Sequence, residues 1–340
     1  MKATQCGDWD DVASLGALHR AYLLARRGKK SRVEVARFAL ELERELVTLH
    51  EELDSGRYVP GAYRIFTIYE RKPRIIAAAP FRDRIVHHAL MHVVEPQLDA
   101  RFIFDSYACR RGKGVHRAVD RYQQWSTRYA YVLKLDIRRY FESIDHAVLK
   151  RMLAAVVAEP RILDLLSLII DHSPATRSGK GIPIGNLTSQ IFANLYLDGI
   201  DHFVKQSLGV KAYLRYVDDL VLLGDDKDWL WRCRDAIAEC VGELGLELHP
   251  RKAQIYRTSD RVELLGYHLS RNRRWLRNDN GYRARRRIRA LAEAYSDGHL
   301  DLDEVRSRIH SWLGHARHAE TTGLCESIFR DIVFVRAPPA

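Results

Sequence analysis

The sequence contains no long apolar run. No stretch approaches the roughly 18 residues that a membrane-spanning helix needs, and the polar start Met1-Lys2-Ala3-Thr4-Gln5 is unlike a secretion signal. Cysteine is scarce. The five in 340 residues (Cys6, Cys109, Cys233, Cys240, Cys325) include no Cys-x-x-Cys pair. A zinc site or disulfide framework is therefore not expected, and a reducing, cytoplasmic setting fits. No internal repeat is present, which argues against a solenoid. The Gly-x-x-x-x-Gly-Lys-Ser/Thr pattern is missing too, so the loop Arg110-Arg111-Gly112-Lys113-Gly114 is not read as a nucleoside triphosphatase loop. Histidines are dispersed; after His87, His88 and His92 stand one helical turn apart. A packed or surface pair is the expectation there, ahead of a metal site.

What is present is hydrophobic mass and positive charge. At 46% hydrophobic, the chain has enough for a core in one multi-lobed domain or two small ones. Lys and Arg outnumber Asp and Glu by 55 to 44, a formal charge of +11. That excess favours a polyanionic partner, nucleic acid first and an anionic membrane second. The basic residues are grouped: Arg26 to Arg32 form a hinge, and Lys72-Pro73-Arg74 leads an apolar pair. In the 110–114 loop, glycines admit a close backbone and three cations suit phosphates. Arg271, Arg273, Arg274 and Arg277 are followed by Arg283, Arg285, Arg286, Arg287 and Arg289, with Trp275 and Tyr282 interleaved. Such a run is usually a solvated face. Its density and sign make a phosphate-tracking surface, on or beside a helix, the stronger expectation.

Periodicity supplies the elements. Phe38, Leu42, Leu46, Leu49 and Leu53 form one apolar stripe on a long helix, stopped by Asp54-Ser55-Gly56 and Pro60. Residues 63–68 read as extended and 83–98 as helical. Residues 131–136 read as a strand ending on Asp136, with helices at 145–157 and 161–171. A polar loop, 173–181, leads to Ile182-Pro183-Ile184-Gly185, and a helix begins at Thr188. Two hydrophobic runs, 213–217 and 220–223, flank Asp218-Asp219 as a hairpin.

A hairpin tip is a costly place for two adjacent carboxylates unless a cation holds them. Two Mg²⁺ ions about 4 Å apart stabilise both the attacking and the leaving oxygen of a phosphoryl transfer, and Mg²⁺ prefers oxygen ligands. Asp136, at the end of a neighbouring strand, would complete the cage. Alone, Asp-Asp in a turn is weak, because aspartate is a common turn residue. The ordered set carries the weight.

That set resembles the reverse transcriptases. Tyr216-Val217-Asp218-Asp219 between hydrophobic strands is similar to their signature, and the segment from Leu135 to His146 to their first catalytic motif. The order agrees across residues 60–270, ending in Leu248-His249-Pro250-Arg251-Lys252 and Leu264-Leu265-Gly266-Tyr267. The resemblance implies an α+β right-hand polymerase with fingers, an antiparallel palm and a helical thumb. The expected limits are a helical extension at 1–60, fingers at 61–130, palm at 131–270 with a helical insertion at 147–182, and thumb at 271–340. By the same resemblance, Asp136, Asp218 and Asp219 bind Mg²⁺, with Mn²⁺ as a substitute. Arg74 and Arg82 hold the triphosphate, Lys252 protonates pyrophosphate, and Phe141 excludes a 2′-hydroxyl. Leu265, Gly266 and Tyr267 grip the primer. Arg110, Arg111, Lys113, Arg283 and Arg286 are the candidate nucleic-acid backbone contacts. The bland reading of Phe141 is an ordinary core aromatic.

One segment narrows the family. Most reverse transcriptases read Pro-Gln-Gly and then Ser-Pro where this chain reads Ile182-Pro183-Ile184-Gly185-Asn186-Leu187-Thr188-Ser189-Gln190. Ile184 replaces the glutamine and Gln190 the proline. The pattern resembles the enzymes of diversity-generating retroelements in bacteria, archaea and phages. Those enzymes copy a template repeat with errors at adenines, alongside a small basic accessory protein, reported as pentameric, and a template RNA. A retron enzyme is expected to keep the glutamine, and a group II intron enzyme to need modules beyond the thumb. The alternatives are an anti-phage defence enzyme, or another bacterial reverse transcriptase, with the same chemistry. Further away stands a non-catalytic RNA-binding scaffold.

Overall fold

The computed structural model describes residues 7–69, 73–174 and 179–336. Cys6, Lys72 and part of the 173–181 loop lie outside the described residues. Two compact units emerge. One comprises Met1–Gly112, Leu135–Leu220 and Arg232–Ala253, the other Lys113–Lys134, Val221–Trp231 and Gln254–Ala340.

The first unit opens with helices Asp10–Ala13, Leu15–Ala25, Val33–Leu40 and Leu42–Asp54. The expected single long helix is thus two, broken at Glu41, where φ is −119° and ψ 30°. Phe38, Leu46, Leu49 and Leu53 are nevertheless buried. Periodicity reports which face is apolar, and a one-residue break that keeps the step of four leaves that face unchanged. Phe38 also packs its ring against Tyr22 and Phe81, with centroids 5.7 and 5.4 Å apart.

Strands β1 (Arg64–Tyr69) and β2 (Pro73–Ala78) then form an antiparallel hairpin in which Arg64 faces Ala78. Helix Phe81–Arg101 follows. Its Asp83 is buried and accepts hydrogen bonds from the Tyr58 hydroxyl and the Gly61 N–H, both at 2.8 Å. His87 is buried in the same helix, and burial pushes its pKa down to about 3. It is a neutral core histidine.

Strand β3 spans Tyr131–Asp136, and helices His146–Ala154 and Pro160–Asp171 follow. Asp145 caps the first by accepting the Ala147 and Val148 N–H groups at 2.9 and 3.2 Å. Pro160 opens the second, where a missing N–H costs nothing. Helix Leu187–Tyr196 is buried along most of its length. Strands β4 (Tyr213–Tyr216), β5 (Asp219–Gly224) and β6 (Gln254–Arg257) complete a four-stranded sheet of order β4-β5-β3-β6. Residues 131–134 of β3 run antiparallel to β6, Tyr131 facing Arg257.

In the second unit, β7 (Val262–Leu264), β8 (Tyr267–Leu269) and β9 (Arg274–Leu276) make an antiparallel sheet in sequence order. Helices Asn278–Ser296, Leu302–Ala316 and Thr322–Phe329 come next. Ala284, Ile288 and Ile328 are buried together, with Trp312, Leu324 and Phe329 packed on them. The arginine-rich run falls on β9, its flanks and helix Asn278–Ser296.

Candidate active site

The β4–β5 link is two residues, Val217 and Asp218, so Asp218 stands at the hairpin tip and Asp219 begins β5. Asp136 ends β3. The Ile137 N–H donates to the Asp218 carbonyl at 3.3 Å, which fixes the two chain segments side by side. A third segment joins from the other flank. Ile137 bridges Leu248, the Arg138 N–H reaches the Glu247 carbonyl at 2.8 Å, and the His249 N–H reaches the Asp136 carbonyl at 2.7 Å. This register delivers Lys252, whose ammonium hydrogen-bonds the Asp136 carboxylate.

Burial, and then the negative charge of Asp136, raise the Asp218 pKa above the ordinary carboxylate value; Lys252 and Arg74 act in the opposite direction. At Asp218, then, the ionised form is disfavoured by its surroundings. That is the electrostatic condition for taking up a cation, and the all-oxygen donors suit Mg²⁺. Among the described residues, however, no group of three or more His, Cys, Asp or Glu side chains is arranged to hold a metal ion. Asp136 is turned to Lys252 instead.

The hairpin rests on a buried ionic network that the sequence reading missed. Arg215 and Asp201 are fully buried and paired at 2.7 Å. The Tyr213 hydroxyl also donates to Asp201, at 2.7 Å, and Arg215 Nη1 donates to the Asn194 side-chain oxygen at 3.2 Å. The same nitrogen donates to the Val217 carbonyl at 3.1 Å. Val217 has a φ of +55°, a region that β-branched residues avoid at a cost of about 1–3 kcal/mol. Arg215 thus ties down the peptide that precedes Asp218. The available signal was an arginine inside an otherwise hydrophobic strand, since a buried charge requires a partner.

Around this centre, the segment 182–186 joins several expected residues. The Ile182 N–H donates to the Phe141 carbonyl at 2.8 Å, and the Ala77 N–H on β2 donates to the Ile184 carbonyl at 3.1 Å. Gly185 has a φ of +116°, and a Cβ there would lie 2.8 Å from an Ile76 methyl; only glycine fits. Phe141 is half-buried, edge-on to Tyr140. Ile184 is 36% exposed, and Gln190 is exposed on its helix. Arg74 is exposed on β2, close enough to lower the Asp218 pKa.

Other expected residues have different surroundings. Arg82 is engaged by Glu52 at 2.7 Å and lies over the Tyr58 ring. Arg110 is folded inward: it bonds Asp99 at 2.5 Å and the Ile103 and Ser106 carbonyls at 2.7 and 3.0 Å. A phosphate contact by Arg110 would have to compete with these bonds. Arg111 is exposed and Lys113 half-buried. Leu265 and Gly266 form the β7–β8 turn with φ of +48° and +89°. The Tyr267 side chain is buried, its hydroxyl 3.1 Å from His116 Nδ1 and 3.4 Å from His315 Nδ1. A grip through the Tyr267 ring would break those contacts, whereas the turn's backbone is available. Arg283 pairs with Asp279 at 3.0 Å, and Arg286 is exposed.

Residues 68–269 match the family described as reverse transcriptase (RNA-dependent DNA polymerase). The match covers more than half of the chain, which therefore belongs to this family of nucleotidyltransferases. Members copy a nucleic-acid template from deoxynucleoside triphosphates and generally use divalent metal ions. Among individual proteins, the chain is similar to Protein YkfC of Escherichia coli (strain K12), at 26% identity over 286 residues, 70% of this chain and 73% of that one. It is also similar to the group II intron-encoded protein LtrA of Lactococcus lactis subsp. cremoris, at 22% over 172 residues, 48% of this chain and 29% of LtrA. Two solved telomerases share the fold. The apo enzyme from Candida tropicalis, truncated from the C-terminal domain, gives a TM-score of 0.50 at 14% identity, over 64% of this chain and 55% of that one. The Candida albicans enzyme, in complex with a TWJ fragment of telomeric RNA, gives 0.51 at 14%, over 82% and 56%. The chain spans little more than half of these telomerases and less than a third of LtrA. Its fold is the right-hand reverse transcriptase fold of antiparallel sheets and helices. No described helix is long and apolar enough to cross a membrane.

Proposed function

We propose that this polymerase copies a template-repeat RNA into cDNA with adenine-biased errors, for mutagenic retrohoming in a diversity-generating retroelement. Fingers, palm and thumb take the limits 61–130, 131–270 and 271–340, with 1–60 extending the fingers and 147–182 inserted. Asp136, Asp218 and Asp219 would hold two Mg²⁺ ions, or Mn²⁺ in their place. Bound there, the ions would stabilise charge on the attacking and leaving oxygens. The protein's own part is positioning. Arg74 would hold the triphosphate, a task suited to a guanidinium fork; Arg82 would have to leave Glu52 to assist. Lys252, whose side chain is 44% exposed, would give a proton to departing pyrophosphate. A template RNA and a small basic accessory protein, pentameric by the resemblance, are the proposed partners.

Phe141 would lie against the sugar. Phe141→Ala should raise ribonucleotide incorporation several-fold, measured with each nucleotide type opposite one template base. An unchanged ratio in an active mutant would return Phe141 to a packing role.

The observation carrying the retroelement reading is Ile184, an exposed apolar side chain in the segment that links Phe141 to β2. A glutamine amide there can hydrogen-bond near the incoming sugar, worth about 1 kcal/mol or roughly fivefold in positioning; isoleucine offers only apolar contact. Ile184→Gln should lower misincorporation opposite template adenine more than opposite other bases, read by sequencing cDNA from one template. The special weight on adenine comes from the family resemblance. Equal error spectra from an active mutant would reject Ile184 as the determinant. The similarity to LtrA and YkfC favours a second reading, a bacterial enzyme with the same chemistry and ordinary fidelity. Parent enzyme with a flat error spectrum would support it.

A further inference from the structure

The second unit contains a cavity of about 450 Å³ between β8, β9 and helix Asn278–Ser296, lined by Arg261, His268, Trp275, Asn278, Tyr282 and Arg285 among others. Its size is that of a small-molecule pocket. Its lining combines three features that one kind of ligand satisfies together.

The first is aromatic surface. Tyr282 is 71% exposed, so its ring is open to a stacking partner. Trp275 lies beneath two guanidiniums, Arg261 at 4.5 Å and Arg273 at 4.8 Å from its centroid. The second is uncompensated positive charge. Arg277 is neutralised by Glu263 and Asp279 at 2.8 and 2.7 Å, and Glu320 is matched by Arg273 at 2.7 Å. Arg285 bonds the hydroxyl and carbonyl of Ser327, neither of which cancels its charge. Arg261 rests on the Trp275 ring, which does not cancel its charge either. The third is hydrogen-bonding capacity, since the buried His268 Nδ1 has no partner among the described residues. Such groups are rare without a ligand or water to meet them.

An anionic group beside a flat polar ring answers all three. A base in a duplex is stacked on both faces and paired on its edge, so only an unpaired one can enter a concavity. We propose that this cavity binds one unpaired nucleotide of an RNA partner. Its base lies against Tyr282 and the Trp275 side, its phosphate meets Arg261 and Arg285, and its edge reaches His268 and Asn278. Along β8, His268 and Tyr267 alternate to opposite faces, so the cavity is separate from the Tyr267 ring. A basic thumb surface reads backbone alone, whereas this pocket would mark a defined point on the RNA. The inference rests on the RNA-binding part of the proposed function and adds a site to it.

The test uses the full chain and two labelled RNA hairpins, identical except for one unpaired adenosine in the stem of the first, at one fixed salt concentration. The parent should bind the bulged hairpin about tenfold more tightly, or about 1.4 kcal/mol, near the lower end of a single base stack. Arg261→Ala and Tyr282→Ala, both of exposed residues, should each remove most of that preference and weaken the paired hairpin less than threefold. Equal losses on both RNAs would make these residues part of a general cationic surface and overturn the proposal. An unchanged preference in both variants would overturn it as well. Micromolar binding of adenosine monophosphate, without preference between the hairpins, would assign the cavity to a free nucleotide instead. Primer extension on an unstructured template reads the polymerase separately. A chain that fails to extend but keeps the bulge preference loses the activity and keeps the pocket.

Discussion

Replacing Asp218 and Asp219 together with asparagine is expected to reduce cDNA synthesis to less than about one thousandth of the parent rate, with RNA affinity nearly unchanged. Neutral amides bind Mg²⁺ weakly, and losing ~4 kcal/mol of transition-state stabilisation is about a thousandfold in rate. The proposed RNA-contacting arginines lie outside the site, so their contribution is expected to survive the substitution. Retained polymerisation by the double mutant would remove these residues from the active site. A second readout needs no catalysis. Burial and Asp136 hold the Asp218 pKa above its unfolded value, so the folded protein keeps its proton more tightly than the unfolded chain. Stability is therefore lost as pH rises from the unfolded carboxylate pKa, about 3.9, through the raised folded value. Asp218→Asn removes that loss. In chelator at neutral pH, the single mutant should melt at or above the parent's temperature, and the difference should shrink towards low pH. A mutant that melts lower at neutral pH would mean that the charge is already compensated within the fold.

The legible parts of the chain were those where one local pattern fixes the outcome. The hairpin around Asp218 was readable because two apolar runs separated by two polar residues have few alternatives, although its link is Val217 and Asp218 rather than Asp218 and Asp219. The helices expected at 145–157 and 161–171 were readable as apolar runs, and the structure starts them at His146 and Pro160, after an Asp145 cap and on a proline. The break at Glu41 was not readable, since both halves present the same face. Arg110 and Arg82 show a deeper limit. A cation next to glycines, or in a family motif, looks available to phosphate in one dimension. Whether Asp99 or Glu52 reaches it first is decided by packing. Arg215 went unread for the converse reason. Its partner Asp201 lies 14 residues earlier, and nothing local in sequence links the two.

Asp201→Asn should be among the most destabilising conservative substitutions in the chain. Both partners are fully buried, and Asn leaves the Arg215 charge without its counter-ion in the interior. Removing one member of such a pair typically costs about 3–5 kcal/mol, a large share of the roughly 5–15 kcal/mol that holds a domain together. The double replacement Arg215→Met with Asp201→Leu should recover much of this, because apolar residues of similar volume often substitute for a buried pair at little net cost. Tyr213 and Asn194 lose partners in that variant, so recovery will be partial. Activity should not follow stability. Without Arg215, the Val217 carbonyl loses a donor, and the strained backbone at φ +55° can relax, taking Asp218 with it. The well-folded double mutant is therefore expected to extend a primer at least tenfold more slowly than the parent, with the half-saturating Mg²⁺ concentration shifted upward. Melting curves and Mg²⁺ titrations on the three proteins separate these outcomes. Parental rate and parental Mg²⁺ dependence in the double mutant would leave Arg215 as packing alone. A rate loss with the metal dependence displaced would make it the residue that aims Asp218.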